Sequence, residues 1–167
     1  NGRTYKYNSQ CQLVVDSVTV YDANVGRPGN YVTLDYYPAG SLYHSATQVW
    51  DYIVNSYFND SRETYHYYNT SSKILTHLTE TWNNTDWRNS SLAGNKYDGN
   101  GFLTDSVYEV WDTLSNSWVK QYEDSFINNI NGRHEAWVIT KDIGSVLEGK
   151  SRTLYNYDAA TGLLIAD

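Results

Sequence analysis

Lys96-Tyr97-Asp98-Gly99-Asn100-Gly101-Phe102-Leu103, running on through Val107, Tyr108, Glu109 and Val110 to Trp111-Asp112, decides how this chain is read. An aromatic residue enters an Asp/Gly/Asn turn, and a strand-like run then closes on Trp-Asp. With Tyr97 as position zero, Asp98 stands at +1, Leu103 at +6, Trp111 at +14 and Asp112 at +15. The same offsets recur at Tyr7 (Asn8, Leu13, Tyr21, Asp22), at Tyr36 (Tyr37, Leu42, Trp50, Asp51) and at Tyr68 (Asn69, Ile74, Trp82, Asn83). A degraded copy starts at Ile127 (Asn128, Arg133, Lys141, Asp142), and the last has Tyr157, Asp158 and Leu163. The anchors lie 29, 32, 29, 30 and 30 residues apart, the signature of a tandem repeat. No copy needs an insertion between anchor and +14, whereas the return to the next anchor varies from 15 to 18 residues. That predicts a fixed turn in the first half and a variable surface loop in the second.

Each unit reads as two strands about a turn. Arg3–Tyr7 and Leu13–Tyr21 flank the turn Asn8–Gln12, and Asp22–Asn30, with Gly26, Pro28 and Gly29, reads as a loop. The next pairs are Tyr31–Tyr37 with Leu42–Trp50, Arg62–Tyr68 with Ile74–Trp82, and Ser91–Tyr97 with Phe102–Trp111. Trp118–Ile127 with His134–Ile139, then Arg152–Tyr157 with Leu163–Ala166, complete the series. Helix signals are weak and confined to Val146–Lys150. The fold class is therefore all-β: tandem antiparallel β-hairpin repeats of about 30 residues forming an elongated twisted meander or β-spiral. One array spans 1–167, in units of about 1–30, 31–61, 62–90, 91–117, 118–151 and an incomplete 152–167. Neither face of these strands is cleanly apolar, so cross-strand pairs are expected to hold the sheet. The outer strands present open edges that need a cap or a neighbouring copy. Leu163, Leu164 and Ile165 are expected to be covered by protein in the native assembly, by further repeats or by a neighbouring copy.

The chain carries 12 basic and 19 acidic residues, a net charge of −7, which argues against nucleic acid as a partner. No apolar run reaches the roughly 18 residues of a membrane-spanning helix, so membrane insertion is not expected. Tyrosine (17) and tryptophan (6) far outnumber phenylalanine (3), and methionine is absent. Such polar-tipped aromatics suit surfaces that are half wet and half packed. Cys11, the single cysteine, falls in a turn and has no partner for an internal disulfide.

Tyr97-Asp98-Gly99-Asn100-Gly101 and Tyr155-Asn156-Tyr157-Asp158 resemble the tyrosine–aspartate repeats of Rhs-type surface proteins. The longer period, with Val110-Trp111-Asp112 before Asn116-Ser117-Trp118-Val119 and Thr81-Trp82-Asn83-Asn84 before Asp86-Trp87-Arg88-Asn89, resembles repeats of secreted Bacteroidota proteins exported by the type IX system. The resemblance covers nearly the whole chain and implies an extracellular or cell-surface structural repeat. It brings no catalytic residue with it.

No catalytic constellation stands out, so the chain is expected to be no enzyme and to carry no cofactor. His44, His66, His77 and His134 show no metal-ligand spacing, and single carboxylates such as Asp98 and Asp158 fall short of the six to eight oxygens of a calcium site. The candidate binding residues are the aromatic pairs Trp50/Tyr57, Trp82/Trp87 and Trp111/Trp118, which flank one set of loops. They read either as clasps that close each hairpin end or as platforms for sugar rings. Glycan acceptor patterns occur at Asn59, Asn69, Asn83 and Asn89, and Bacteroidota-like O-linked patterns at Asp16-Ser17, Asp105-Ser106 and Asp112-Thr113. The leading expectation is a non-enzymatic extracellular structural or adhesive segment, a self-assembling fibre or stalk whose partners are neighbouring repeats, other copies or glycans. The alternative is a carbohydrate-binding module that uses the Trp/Tyr loops.

Overall fold

A computed structural model describes residues 2–22, 25–68, 72–129, 131–143, 146–158 and 161–165. Every regular element among them is a strand: β1 (Gly2–Tyr7), β2 (Leu13–Asp22), β3 (Val25–Tyr36), β4 (Leu42–Asp51), β5 (Ser56–Tyr67), β6 (Ile74–Trp82), β7 (Trp87–Tyr97), β8 (Leu103–Asp112), β9 (Ser117–Asn128), β10 (His134–Ile143), β11 (Val146–Leu154), β12 (Asn156–Tyr157) and β13 (Leu164–Ile165). Strands β1 to β11 are hydrogen-bonded in chain order, an antiparallel meander, and β12 pairs with β13. By internal contacts the chain divides into two units, Asn1–Ser90 and Ser91–Asp167. The boundary falls within β7.

Register bulges explain why the alternation in the sequence is blurred. Beside each anchor the register slips, with Tyr7 facing Leu13, Tyr36 facing Leu42, Tyr67 facing Ile74 and Tyr97 facing Leu103. A second slip follows at Thr47/Gln48, at Tyr108/Glu109 and at Thr140/Lys141. Each bulge moves the following side chains to the opposite face, so a strict period of two does not survive along a whole strand. The bulge between β2 and β3 also corrects the expected loop at Asp22–Asn30, most of which is strand. Ser17 faces Tyr31 and Thr19 faces Pro28, leaving Val18 against Gly29 and Asn30. Proline's missing N–H is tolerated at a bulge, and a Cβ on Gly29 would sit 3.0 Å from the Val18 carbonyl oxygen.

The pairing moves two anchors. Ile74 faces Tyr67, so Tyr67 and not Tyr68 occupies the third anchor position, and the turn after it is one residue longer. His134 faces Asn128, which replaces Ile127 as the fifth anchor. The first half of the unit is therefore not free of insertions. The turn absorbs them: Asn8 N–H bonds Gln12 O across five residues, whereas Tyr68 N–H bonds Lys73 O and Asp158 N–H bonds Leu163 O across six.

What the anchor does becomes clear at the junctions. The Tyr36 hydroxyl donates to Leu13 O at 2.8 Å and the Tyr67 hydroxyl to Leu42 O at 2.8 Å. Asn128 Nδ2 donates to Leu103 O at 2.7 Å, while Asn128 Oδ1 lies 2.7 Å from His134 Nδ1. These three anchors thus satisfy the bulge carbonyl of the hairpin before them, and the supposedly degraded fifth copy keeps this interaction with an amide. A second staple joins successive turns. Gln12 Nε2 donates to Gly40 O at 3.2 Å, Arg133 Nη1 donates to Gly162 O, and a Cβ on Gly132 would fall 2.2 Å from the Phe102 ring. Gly40, Gly101, Gly132 and Gly162 all have positive φ at this place, and Cys11 holds it with φ 60.

These contacts replace a core. Among the described residues the only buried hydrophobic is Ala136, 2 % exposed, and the buried polar residues are Ser45 and Glu80. Glu80 accepts both arms of the Arg62 guanidinium, at 2.6 and 2.8 Å, and the same guanidinium lies 4.6 Å from the centre of the Trp87 ring. The Glu80 hydrogen bonds raise the Arg62 pKa, so the guanidinium keeps its charge.

Candidate functional site

The three aromatic pairs singled out in the sequence occupy equivalent places. Trp50 faces Tyr57 across β4 and β5, with ring centres 4.9 Å apart at 78°. Trp111 faces Trp118 across β8 and β9, at 5.1 Å and 75°. Trp82 and Trp87, at the ends of β6 and β7, meet at 5.2 Å and 66°. Edge-to-face contact puts the positive rim of one ring on the negative face of the other, a geometry that contributes about 0.5–1.5 kcal/mol beyond burial. All six rings remain half-buried. In the first unit the row extends, since Tyr31 packs on Tyr57 at 5.7 Å and the Tyr52 hydroxyl donates to Pro28 O at 2.8 Å.

The clasp is not a feature of every hairpin, as the regular +14 position had suggested. Tyr21 faces Gly26 and Lys141 faces Glu148, and re-anchoring on Asn128 moves +14 to Asp142, which faces Leu147. Neither place sets an aromatic opposite the +14 residue. The side chains of Tyr21, Asp22, Lys141 and Asp142 lie outside the described residues, as do Asn69 and Ala166.

Asp98 and Asp158, weighed and set aside as calcium ligands, hold turns, as do the acidic and amide residues at the matching places. Asn8 Oδ1 accepts from Gln10 N and Gln12 N at 2.9 and 3.0 Å, and Asp98 Oδ1 from Asn100 N and Phe102 N at 2.9 and 2.8 Å. Asn129 Oδ1 does the same for Asn131 N and Arg133 N, and Asp158 Oδ1 for Thr161 N. At +15, Asp51 accepts from Ile53 N and Val54 N, Asn83 from Thr85 N and Asp86 N, and Asp112 from Leu114 N and Ser115 N. These are side-chain caps on tight turns. The Ser115 hydroxyl, 2.7 Å from Asp112 Oδ2, is the first cause of a lowered Asp112 pKa. Among the described residues no three His, Cys, Asp or Glu side chains gather as metal ligands would.

One polar cluster escaped the sequence reading. Glu63 Oε2 accepts from the Tyr65 hydroxyl at 2.6 Å and from Ser45 Oγ at 3.2 Å, while His77 Nε2 lies 3.7 Å from Glu63 Oε1. The His77 ring stacks on Tyr65 at 4.4 Å and 9°. Burial first, then the Glu63 carboxylate, pushes the Tyr65 phenol pKa upward, so it remains a donor. The cluster depends on pairing Tyr65 with His77 and Glu63 with Ser45, which the repeat offsets do not reveal. His44 belongs to another contact, with Asp35 at 3.3 Å.

No protein-family model matches the chain, and no curated protein matches it. Among solved structures, a protein of unknown function from Bacteroides fragilis superposes with a TM-score of 0.60 at 15% identity, over 78% of this chain and 94% of that one. Two DUF3836 family proteins are also similar. The one from Bacteroides vulgatus has a TM-score of 0.38 at 12% identity, over 64% of this chain and 89% of its own. The one from Parabacteroides distasonis has 0.39 at 14%, over 57% and 90%. The first likeness shows a shared fold: this chain is similar in architecture to a Bacteroides protein of unknown function.

Proposed function

We propose that the chain is a non-enzymatic structural and adhesive repeat segment working outside the cell, as part of a surface fibre or stalk. The observation that carries this reading is where the polar side chains are used. Asn8, Asp51, Asn83, Asp98, Asp112, Asn129 and Asp158 cap turns, and Tyr36, Tyr67 and Asn128 staple one hairpin to the next. Residues that would otherwise be candidates for chemistry are engaged in building the array. The finer kinship, with type IX-exported Bacteroidota repeats and more distantly with Rhs-type repeats, belongs to this proposal and rests on the Tyr-Asp and Trp-Asp motifs. Its partners are neighbouring repeats and further copies of the chain. Immunolabelling of intact native cells tests it: the segment is expected to be accessible from outside, and a purely internal location overturns the reading.

A second reading, a carbohydrate-binding module, draws on the three half-buried ring pairs. A glycan array with Trp82→Ala and Trp111→Ala separates the two. Tight saccharide binding that both substitutions abolish would displace the scaffold reading.

A further inference from the structure

One junction between hairpins is filled by aromatic rings, and its counterpart three hairpins later is open. Beside the second anchor, Tyr37 follows Tyr36 and Tyr43 follows Leu42. The Tyr37 ring packs on Tyr43 at 5.0 Å and edge-on to the next anchor, Tyr67, at 6.2 Å and 82°. Its hydroxyl donates to Tyr65 O at 3.4 Å. Beside the fifth anchor the same two places hold Asn129 and Glu135, and the next hairpin sets Tyr155 and Tyr157 where Tyr65 and Tyr67 stand. An amide and a carboxylate do not fill the space of two phenol rings. A groove of about 440 Å³ lies there, lined by Asn129, Glu135, Leu154, Tyr155, Asn156 and Tyr157. Tyr155 N–H donates to Glu135 O at 3.0 Å, so backbone pairing holds the two sides of the groove together.

We infer that this groove binds an uncharged sugar ring of a glycan, seated where the Tyr37 ring sits in the earlier junction. The polar groups around it are uncommitted. Among the described residues the Glu135 carboxylate, the Asn156 amide and the Tyr155 and Tyr157 hydroxyls make no hydrogen bond. Asn129 uses its Oδ1 in the turn and keeps Nδ2 to donate. A sugar hydroxyl both donates and accepts, which matches a carboxylate that only accepts beside amides and phenols that do both. The Tyr155 and Tyr157 rings offer flat apolar surface for the C–H face of the sugar. The volume falls within the roughly 300–1,000 Å³ usual for small-ligand sites. Charge selects against the other ligand classes. The Arg133 guanidinium lies 5.5 Å from the centre of the Tyr157 ring, with Nη1 donating to Gly162 O. Glu135 repels anions and Arg133 repels cations, so the pair favours a neutral ligand. The inference rests on the adhesive part of the proposal, to which it gives a ligand class, and it lies on other residues than the ring pairs of the carbohydrate reading. With one ring held in an open groove, the dissociation constant should be roughly millimolar.

Saturation-transfer NMR on the intact native polypeptide, with lactose, cellobiose, maltose and N,N′-diacetylchitobiose as probes, reads the site directly. Binding of at least one probe is expected. Glu135→Tyr, which supplies the ring that Tyr43 supplies in the earlier junction, should abolish it. Glu135→Gln should weaken it about tenfold, the effect of replacing a charged acceptor by a neutral one. Glu135 is exposed, so both variants should fold, and an unchanged melting temperature checks this. Trp82→Ala and Trp111→Ala should leave the binding intact. Failure of all four probes to bind overturns the groove, as does binding that Glu135→Tyr leaves unchanged. Binding lost in Trp82→Ala and Trp111→Ala but kept in Glu135→Tyr removes the groove and leaves the ring-pair reading standing. Outside labelling of cells decides the scaffold reading separately from either result.

Discussion

At the scale of single residues, stability resides in hydrogen bonds that recur with the repeat. Tyr36→Phe or Tyr67→Phe removes one donor from a bulge carbonyl and should cost about 0.5–1.5 kcal/mol in chemical denaturation. Tyr7→Phe removes a hydroxyl that has no hydrogen bond among the described residues and should leave monomer stability unchanged. Cys11 stands where other turns have glycine, and an L-residue with φ 60 is strained by about 1–2 kcal/mol. Glycine costs some unfolded-state entropy in return. Cys11→Gly should therefore raise stability by about 1 kcal/mol, and a fall in the denaturation midpoint would show that the thiol makes a contact of its own. Asp112→Ala removes a turn cap and should lower the denaturation midpoint, as the loss of a helix cap does. The Asp112 pKa is lowered in the folded chain, so its contribution is present above the ordinary carboxylate value and is lost as pH falls through the folded value. The difference between native chain and Asp112→Ala should shrink in acid, with most of the change below about pH 4.

At the scale of elements, the aromatic clasps close turns that run out of β4, β6 and β8. Trp111 and Trp118 are cross-strand neighbours at a hairpin end, where little else is buried. A double-mutant cycle of Trp111→Ala and Trp118→Ala should give a coupling of about 0.5–1.5 kcal/mol. Zero coupling would mean that the rings lie near each other without supporting the turn. The repeat offsets made these pairs legible because Trp-Asp and the following aromatic keep their spacing. The offsets misplaced two anchors, however, since Tyr68 and Ile127 were chosen by distance along the chain. A better marker was already present: Gly40, Gly101 and Gly132 each stand four residues after Tyr36, Tyr97 and Asn128. Glycine marks the positive-φ corner of the turn, a backbone requirement, whereas the anchor position accepts any side chain that can donate to the carbonyl.

At the scale of the whole molecule, a chain in which Ala136 is the only buried apolar side chain among the described residues should unfold with an unusual heat-capacity signature. Apolar exposure raises the heat capacity of unfolding and polar exposure lowers it, with a usual net of about 12–15 cal/mol/K per residue. Calorimetry should give a value clearly below that range. A value within it would require more apolar burial than Ala136 and the half-buried rings supply. Because each hairpin leans on its sequence neighbours, amide exchange should be fastest in β1, β12 and β13 and slower in the strands between them.

The sequence by itself determined that the chain is a meander of hairpins with Asp or Asn at its turns and aromatic pairs beside three of its loops. All of these are local: they depend on residues a few positions apart, and a repeat displays each of them several times. Only the tertiary structure decided which residue anchors each hairpin, which face each side chain takes, and that Glu63, Tyr65, His77 and Ser45 meet. Those outcomes turn on the bulges, because one extra residue in a strand reverses every face beyond it. A bulge costs the sequence nothing that a reader of spacing can see, and it is fixed by hydrogen bonds such as Tyr36 to Leu13 O, whose partners lie 23 residues apart.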